Sequence, residues 1–360
     1  MPQPPASLDP EKVKDYAKLV FGALGGAMTS AMIYLGDRLG LYRALAGSAP
    51  MTSAELARKT GLSERWLREW LHAQGAAGVL AHHGGGRFGL SAEGEAVLAD
   101  ESHPAFGAGF FSQLPQLVGV AERLPEAFRS GIGLPYDAFG PEGARGIERG
   151  IAPWFRALLV PFVLPRLEGV AQRLREGTPV ADVGCGAGVA LLEMAKAFPS
   201  SEFQGYDVSR HALARAEANR EQAGVTNAHF YDATHHPLPM NGRFGFITTF
   251  DCLHDMTDPV SVMRRIHGAL APDGTWLIAD IKAHASYEEN VAKNPMAAMM
   301  YGTSVISCMS SALSEPGGLG LGTLGFHPDL AQKMIREAGF TRFEALDLGH
   351  PVNAFYVVRP

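Results

Sequence analysis

The chain has 360 residues, of which 46% are hydrophobic and 19% charged, and its formal net charge is −6. This composition is typical of a globular protein with a sizeable core, and the length suits two domains of about 100–200 residues each. The net negative charge gives no overall basic surface, which argues against nucleic acid as a partner.

The N-terminal region lacks the basic start and apolar stretch of a secretory signal. Residues 19–35 hold no charge, and Gly22 and Gly26 have the spacing found in packed membrane helices. This stretch reaches only the lower length limit of a membrane span, and Lys18 and Asp37 flank it closely. We therefore expect a helix buried at a subunit interface and no membrane partner.

The three cysteines, Cys185, Cys252 and Cys308, are widely separated along the chain. Because Cys185 lies inside a glycine-rich turn, where a disulfide would obstruct a ligand, we interpret all three as free thiols. Free thiols and the absence of a secretory signal together predict a cytoplasmic protein.

A small module is predicted at residues 52–99. Thr52 and Glu55 have the spacing of a capping box at the start of one helix. A second helix, ERWLREWLHAQGA, precedes two short strands around a glycine-rich turn, which is the order of a winged helix. Its predicted apolar stripe consists of Trp66, Leu67, Trp70 and Leu71.

This module has two interpretations. Its basic residues could meet DNA phosphates. They are interspersed with Glu55, Glu64 and Glu69, however, and a weak basic face favours a packing or dimerisation module. We expect residues 1–100 to form an N-terminal helical and winged-helix dimerisation domain of a homodimer, followed by a helical connector at 101–175.

From residue 176 the pattern changes to strands that alternate with helices. The segments PVADVG, EFQGYDVS, AHFYDAT, FGFITTFDCLHD and TWLIADI predict strands, and FEALDLG with NAFYVVRP predicts a closing pair. This alternation indicates an α/β domain over residues 176–360 with seven strands. Ligands of such domains bind at the carboxyl ends of the parallel strands.

The first glycine-rich turn of this domain contains Gly184, Gly186 and Gly188, follows a strand and opens a helix. Glycine lets the backbone turn sharply and touch a ligand, and the helix N-terminus offers free N–H groups. The dinucleotide fingerprint needs a sixth-position glycine, where this chain has Val189, and no P-loop lysine follows. A purely structural turn remains open for the motif alone.

Acidic residues follow the predicted strands. Asp207 ends the second strand, where a carboxylate can accept hydrogen bonds from ribose hydroxyls, and Asp232 ends the third, near the place of an adenine amino group. Asp182 precedes the glycines and could reach an amino-acid portion of a ligand. A single acidic residue at a strand end is more often a solvated turn residue, but the three acidic residues together predict one cofactor site.

The series ADVGCGAG, YDVS, YDAT and FDCLHD resembles the class I S-adenosylmethionine (SAM)-dependent methyltransferases, over about residues 178–360. The resemblance implies a seven-stranded Rossmann-like sheet with an antiparallel last strand, and SAM as the cofactor. It places Gly184, Gly186 and Gly188 around the methionine end of SAM. The other implied cofactor-binding residues are Asp182, Asp207, Val208, Asp232, Ala233, Phe250 and Asp251.

A winged helix before such a domain is similar to the small-molecule O-methyltransferases of plants and bacteria. In those enzymes an HDW segment after strand four carries the base histidine, and this chain has His254-Asp255-Met256 there. The resemblance implies His254 as the general base, with Asp255 as the second choice, although the tryptophan is missing. A histidine that only packs or caps the strand end stays the alternative. We expect no metal, because no His, Asp and Glu set has metal-site spacing.

A long insertion at about residues 283–326 follows strand five, and loops of this length are usually functional. Its methionine-rich helix offers Met300, Tyr301 and Met309 as candidate substrate-pocket residues, although core packing uses the same residue types. The segment GGLGLGTLG is expected to be a flexible lid that caps the substrate.

These patterns predict a SAM-dependent methyltransferase that acts on a small organic molecule. We expect oxygen as the acceptor atom, with sulfur, nitrogen or carbon less favoured. The alternative is a winged-helix transcriptional regulator that senses SAM, and the weak basic face argues against it.

Overall fold

The computed structural model describes residues 8–360, and the chain divides into two compact units, Met1–Leu114 and Pro115–Pro360. The first is mostly helical and contains the winged helix, and the second is an α/β unit. The predicted fold class is confirmed.

The first unit consists of helices around a hairpin whose two strands are two residues long each. Strands β1 (Ala81–His82) and β2 (Phe88–Gly89) pair antiparallel and form the wing. The helices are α1 (Pro10–Arg38), α2 (Leu41–Leu45), α3 (Ser53–Thr60), α4 (Glu64–Ala76), α5 (Ala92–Leu98) and α6 (Ala108–Phe111).

The predicted capping box opens α3. The Thr52 hydroxyl accepts the N–H of Glu55 at 3.3 Å, and the Glu55 carboxylate accepts the N–H of Thr52 at 2.8 Å. On α4, Leu67, Trp70 and Leu71 are buried in the core as predicted, but Trp66 is 80% exposed. The prediction for Trp66 is wrong because the stripe that faces the core follows the i, i+3, i+4 spacing from Leu67, which leaves its neighbour outside.

Helix α1 carries an unburied apolar surface. Among residues 8–360 it is the only single helix long and apolar enough to cross a membrane, and 6% of its most apolar window is buried in this chain. One such helix is weak evidence for a membrane span. Its exposed apolar side chains are Val13, Tyr16, Leu19, Val20, Phe21, Leu24, Met28 and Leu35.

The described part of the second unit contains a seven-stranded mixed sheet in the order β5-β4-β3-β6-β7-β9-β8. Strands β3 to β7 run parallel to one another, whereas β9 is antiparallel to both β7 and β8. The strands are β3 (Pro179–Val183), β4 (Glu202–Asp207), β5 (Ala228–Asp232), β6 (Phe244–Phe250), β7 (Leu270–Ile281), β8 (Arg342–Leu346) and β9 (Asn353–Arg359).

Helices cover both faces of this sheet because its central strands are apolar on both sides. In β3, Val180 belongs to one buried layer and its neighbour Ala181 to the other. The helices are α7 (Leu114–Val120), α8 (Leu124–Ser130), α9 (Gly140–Trp154), α10 (Val170–Glu176), α11 (Val189–Ala197), α12 (Arg210–Ala223), α13 (Pro259–Ala269), α14 (Tyr287–Lys293), α15 (Ala297–Thr303), α16 (Met309–Ala312) and α17 (Pro328–Glu337).

Two π-helical segments interrupt the α-helices, at Phe155–Val163 after α9 and at Ser304–Cys308 between α15 and α16. Such wide turns are rare and frequently lie at functional sites. The second one carries Ser304, Ser307 and Cys308 as buried residues of the insertion.

Two details differ from the sequence prediction. Strand β7 begins at Leu270, which pairs with Phe244 before the register shifts, whereas the predicted strand began at Thr275. The segment GGLGLGTLG is not a free lid: Leu319 donates its N–H to the Thr257 carbonyl at 2.9 Å, and Gly322 donates to the His254 carbonyl at 3.0 Å. Backbone pairing therefore fixes this segment against the turn after β6.

Candidate active site

The glycine turn lies between β3 and α11. Gly184, Gly186 and Gly188 all have positive φ angles, of 73°, 55° and 74°. A Cβ at Gly184 would lie 2.7 Å from the Cys252 sulfur, and one at Gly188 would lie 2.4 Å from the Phe230 ring. A Cβ at Gly186 would meet nothing within 4 Å. The outer glycines are thus required by packing, and the middle one borders open space.

The Asp207 carboxylate organises this turn. It ends β4 in register with Asp232 at the end of β5. One of its oxygens accepts the N–H of Gly186 at 2.8 Å, and the other accepts the N–H of Ser209 at 2.8 Å. Burial raises the pKa of Asp207, and these backbone donors oppose the shift. Each carboxylate oxygen keeps a lone pair for a ligand at the open edge.

Two other predicted acids have different surroundings. Asp182 lies buried inside the sheet, where the Thr248 hydroxyl donates to it at 2.7 Å, and burial raises its pKa to about 7. Asp232 is partly exposed and accepts from the hydroxyl of Thr234 and the ring of His235. The Thr234 hydroxyl, followed by the Thr234 N–H and His235, lowers the pKa of Asp232 to about 2.

Further predicted cofactor residues lie at the same edge. Val208 is exposed beside Asp207, and Ala233 donates its N–H to the Asp207 carbonyl at 2.9 Å. At the end of β6, Phe250 packs edge-on against Phe155, with 4.9 Å between ring centres.

Asp251, the residue after β6, is the only non-glycine residue with a positive φ in the described chain. Its carboxylate accepts a hydrogen bond from the side-chain amide of Asn353. Burial, and next the charge of Asp280, raise the pKa of Asp251 to about 7. A strained, partly buried carboxyl at a strand end is a frequent feature of functional sites.

The residues of this edge fit a nucleoside cofactor of the SAM type. The space above Gly186 leaves room for a ligand against the backbone, and Asp207 presents acceptors beside it. Val208 offers an exposed apolar surface next to that acceptor, as an adenine ring requires.

His254 lies one short turn beyond β6, in the 3-10 helix Leu253–Asp255. Its side chain is 2% exposed, and its Nδ1 lies 2.5 Å from the Asp280 carboxylate near the end of β7. Burial lowers the pKa of His254, but the charge and hydrogen bond of Asp280, with Cys308, raise it well above the ordinary value. The pair fixes the ring and leaves Nε2 for other contacts.

The Asp280 carboxylate that contacts this histidine is buried. The same oxygen that meets the ring accepts the N–H of Ile281 at 2.7 Å, and the other oxygen has no partner among the described residues. Asp280 is 1% exposed, so His254 and the N–H of Ile281 are the groups that stabilise a charge there.

Asp255 contacts a different segment of the unit. The hydroxyl of Tyr136 donates to its carboxylate at 2.7 Å and lies 4.0 Å from the Cys308 sulfur. Burial raises the pKa of Asp255 to about 7, while His254 and Tyr136 oppose the shift. Burial and the Asp255 charge raise the pKa of Tyr136 well above its ordinary value.

The chain before Tyr136 is bound to the insertion. Gly133 donates its N–H to the Leu313 carbonyl at 2.9 Å, and Leu134 donates to the Ser310 hydroxyl at 2.8 Å. Since Cys308 belongs to the same insertion, three separate segments meet at His254 and Asp255.

The predicted substrate-pocket residues lie in another part of the insertion. Met300 packs with Ala283 and Leu324, and the Tyr301 hydroxyl accepts the side-chain amide of Asn290 at 3.2 Å. Met309 lies next to Gly322. The described contacts bring Cys308, rather than these three, to His254, so their role in a substrate pocket stays a prediction.

Sequence reasoning missed three residues of this site, Asp280, Tyr136 and Cys308. Asp280 could have been found with the rule that identified Asp207, because it lies at the carboxyl end of a predicted strand. Tyr136 and Cys308 lie far from His254 along the chain and carry no motif of their own.

The class of protein follows from two family matches together with this fold. Residues 174–339 match the profile of a methyltransferase domain, and residues 27–99 match that of an Rv2258c-like winged helix-turn-helix domain. The chain therefore carries a winged helix-turn-helix domain followed by a methyltransferase domain.

Among individual relatives, a ubiquinone biosynthesis O-methyltransferase of Ralstonia nicotianae is 32% identical over 30% of this chain and 45% of its own length. The chain spans 36% to 54% of the first curated relatives it matches.

Solved structures extend the likeness of fold over nearly the whole chain. An O-methyltransferase family protein of Burkholderia thailandensis has a TM-score of 0.69 at 18% identity and covers 96% of this chain and 97% of its own. Human N-acetylserotonin methyltransferase, solved with SAM, has a TM-score of 0.68 at 17% identity over 98% and 99%.

Proposed function

We propose that this protein transfers the methyl group of SAM to an oxygen atom of a small organic molecule, with His254 as the general base. The observation that carries the proposal is the buried pair of His254 and Asp280, which fixes the ring through Nδ1, so that Nε2 is the nitrogen that would act on an acceptor. The relatives named as O-methyltransferases support oxygen over sulfur, nitrogen or carbon.

The proposed cofactor site is the edge formed by the glycine turn and the following strand ends. Gly184, Gly186 and Gly188 border the methionine end, Asp207 accepts the ribose hydroxyls, and Asp232 lies towards adenine. Asp182, Val208, Ala233, Phe250 and Asp251 complete the set. When bound, SAM supplies a methyl group that is already activated by a positive sulfur, so the protein must orient and deprotonate the acceptor.

In the proposed reaction, His254 takes the proton of the acceptor hydroxyl on Nε2 while Nδ1–H remains donated to Asp280. The carboxylate of Asp280 stabilises the imidazolium that forms, and burial of the pair excludes water. Because Asp280 raises the pKa of His254 well above the usual value, the neutral, active ring becomes more abundant as the pH rises.

A direct experiment uses the purified chain with methyl-labelled SAM and a panel of phenols, thiols and amines, with cofactor binding followed by calorimetry. We expect binding of SAM and of its demethylated product, and transfer of label to a hydroxyl acceptor. Absence of binding to either compound would contradict the whole proposal, and transfer to thiols or amines alone would contradict oxygen as the acceptor atom.

We also propose a homodimer formed through the first unit. The apolar side chains along α1 are exposed in the single chain, and a patch of this kind marks an interaction surface. Phe21→Glu should shift the mass measured by light scattering from dimer to monomer, and Trp66→Ala on α4 is the control. A monomeric unmodified protein would contradict the proposal.

The winged helix does not favour the alternative of a DNA-binding regulator. Arg65 and Arg68 form ion pairs with Glu69 and Glu64 on their own helix, at 2.6 and 2.7 Å. Two of the basic side chains that DNA would need are therefore already paired.

The three cysteines are free thiols, which supports the proposed cytoplasmic location. A disulfide in the protein isolated from its cells would contradict that location.

A further inference from the structure

Three different metal-ligating side chains converge beside the candidate base. The ligand atoms of His254, Asp255 and Cys308 all lie within 4.8 Å of one another. All three side chains are buried, and Cys308 is 8% exposed. Two of the ligands come from the turn after β6, and the third comes from the insertion.

The hydrogen-bond partners that orient these ligands are of the kind that a metal site requires. Asp280 occupies Nδ1 of His254, so the lone pair of Nε2 is left for an ion, as in the carboxylate–histidine–zinc arrangement. The Tyr136 hydroxyl holds the Asp255 carboxylate at 2.7 Å. Two of the three ligands therefore have orienting hydrogen bonds of their own.

We propose that His254, Asp255 and Cys308 bind a thiophilic divalent cation, of which Zn²⁺ is the best match, and that the bound ion inhibits methyl transfer. The inhibitory half rests on the proposed role of His254, whereas the binding half does not.

The donor set selects this class of ion. One nitrogen, one sulfur and one carboxylate oxygen suit Zn²⁺, whereas Mg²⁺ and Ca²⁺ prefer oxygen ligands alone. Donors around a tetrahedral Zn²⁺ are about 3.3–3.7 Å apart, so the three groups need to close by about 1 Å. On binding, the Cys308 thiol loses its proton to solvent and a zinc–sulfur bond forms.

A bound ion would act on the base directly. Coordination uses the Nε2 lone pair of His254, the same lone pair that must accept the proton of the acceptor hydroxyl. The proposed SAM-binding residues are not ligands of this ion. Zinc should therefore lower turnover without preventing SAM from binding, and a chelator should restore turnover.

The sequence offered no metal spacing because the third ligand is remote in the chain. His254 and Asp255 are adjacent, but Cys308 is brought to them by the π-helical segment Ser304–Cys308. A metal ion would thus also fasten the insertion to the turn after β6, and should protect both segments from local opening.

The test titrates the chelator-treated full-length protein with Zn²⁺ alone and follows binding by calorimetry and thermal unfolding. We expect one ion per chain and a raised unfolding temperature. Cys308→Ala should weaken zinc binding at least about 10-fold. Cys252→Ser and Cys185→Ser, which change the other buried thiols, are the matched controls and should keep the affinity of the unmodified protein.

Cobalt provides a second readout that does not depend on folding yield. Co²⁺ added to the unmodified protein should give the absorption of a thiolate–cobalt bond, and Cys308→Ala should abolish it. No stoichiometric binding, or binding unchanged in Cys308→Ala, would overturn the proposal. Zinc binding with the expected dependence on Cys308, in a protein without methyl transfer, would sustain the site and contradict only the proposed function.

Discussion

The two sides of the candidate active site are built in different ways. On the cofactor side, Gly186 in the turn after β3 donates its N–H to the Asp207 carboxylate at the end of β4, the parallel neighbour of β3. On the acceptor side, His254 meets Asp280, and Asp255 meets Tyr136, from distant segments of the chain. Strand register determines the first side, whereas the packing of the insertion and the chain before α9 determines the second.

This difference implies that substitutions on the two sides affect turnover and cofactor affinity separately. Changes on the acceptor side should alter turnover and leave cofactor affinity nearly intact, whereas changes on the cofactor side should do the opposite. A variant that altered both equally would show that the two sides form one coupled unit.

The largest effect is expected for His254→Ala. Loss of the general base should lower the turnover number about 10²–10⁴-fold, with SAM affinity within about twofold of the unmodified protein. Steady-state kinetics and calorimetry measure the two quantities, and His229→Ala, at an exposed site on β5, is the control. Full activity in His254→Ala would remove this residue as the base.

A smaller effect on affinity is expected for Asp207→Ala. Loss of a charged acceptor should weaken SAM binding about 10–150-fold, and Asp207→Asn, which keeps one acceptor oxygen, should weaken it less. Calorimetry with SAM and with its demethylated product checks this. If turnover falls strongly while affinity is unchanged, the ribose role of Asp207 is wrong and the comparison of the two sides fails.

The smallest effect is expected for Tyr136→Phe. The change removes the hydrogen bond to the buried Asp255 carboxylate, which should lower the free energy of unfolding by about 1–3 kcal/mol. Urea denaturation measures this, and Tyr287→Phe at an exposed tyrosine is the control. Equal stability of the two variants would show that the Tyr136 contact does not hold the acceptor side together.

The cofactor side could be predicted from sequence, and the acceptor side only in part. Strand and helix alternation, together with Asp207 and Asp232 at strand ends, gave the sheet and its edge, because each signal is local. His254 was found through the segment that follows β6. Asp280 was overlooked because it lies inside an apolar strand. Cys308 is brought to the site by a π-helical turn, which no local sequence pattern predicts.

The same limit explains the errors in the fold. The strand TWLIADI was predicted to begin at Thr275, but β7 already begins at Leu270 through its pairing with Phe244. The glycines of GGLGLGTLG indicated mobility, but the N–H groups of Leu319 and Gly322 meet the carbonyls of Thr257 and His254. In both places tertiary hydrogen bonds override local preference.

The most direct test of the account is the pH dependence of turnover in the unmodified protein and in Asp280→Asn. The Asp280 carboxylate raises the pKa of His254. Turnover of the unmodified protein should therefore rise with pH, and this rising limb of the pH profile should lie above the usual pKa of histidine. Asp280→Asn should move that limb to lower pH and reduce the maximal rate about 10²–10⁴-fold, with SAM affinity retained. An unchanged limb in Asp280→Asn would contradict the proposed His254–Asp280 base.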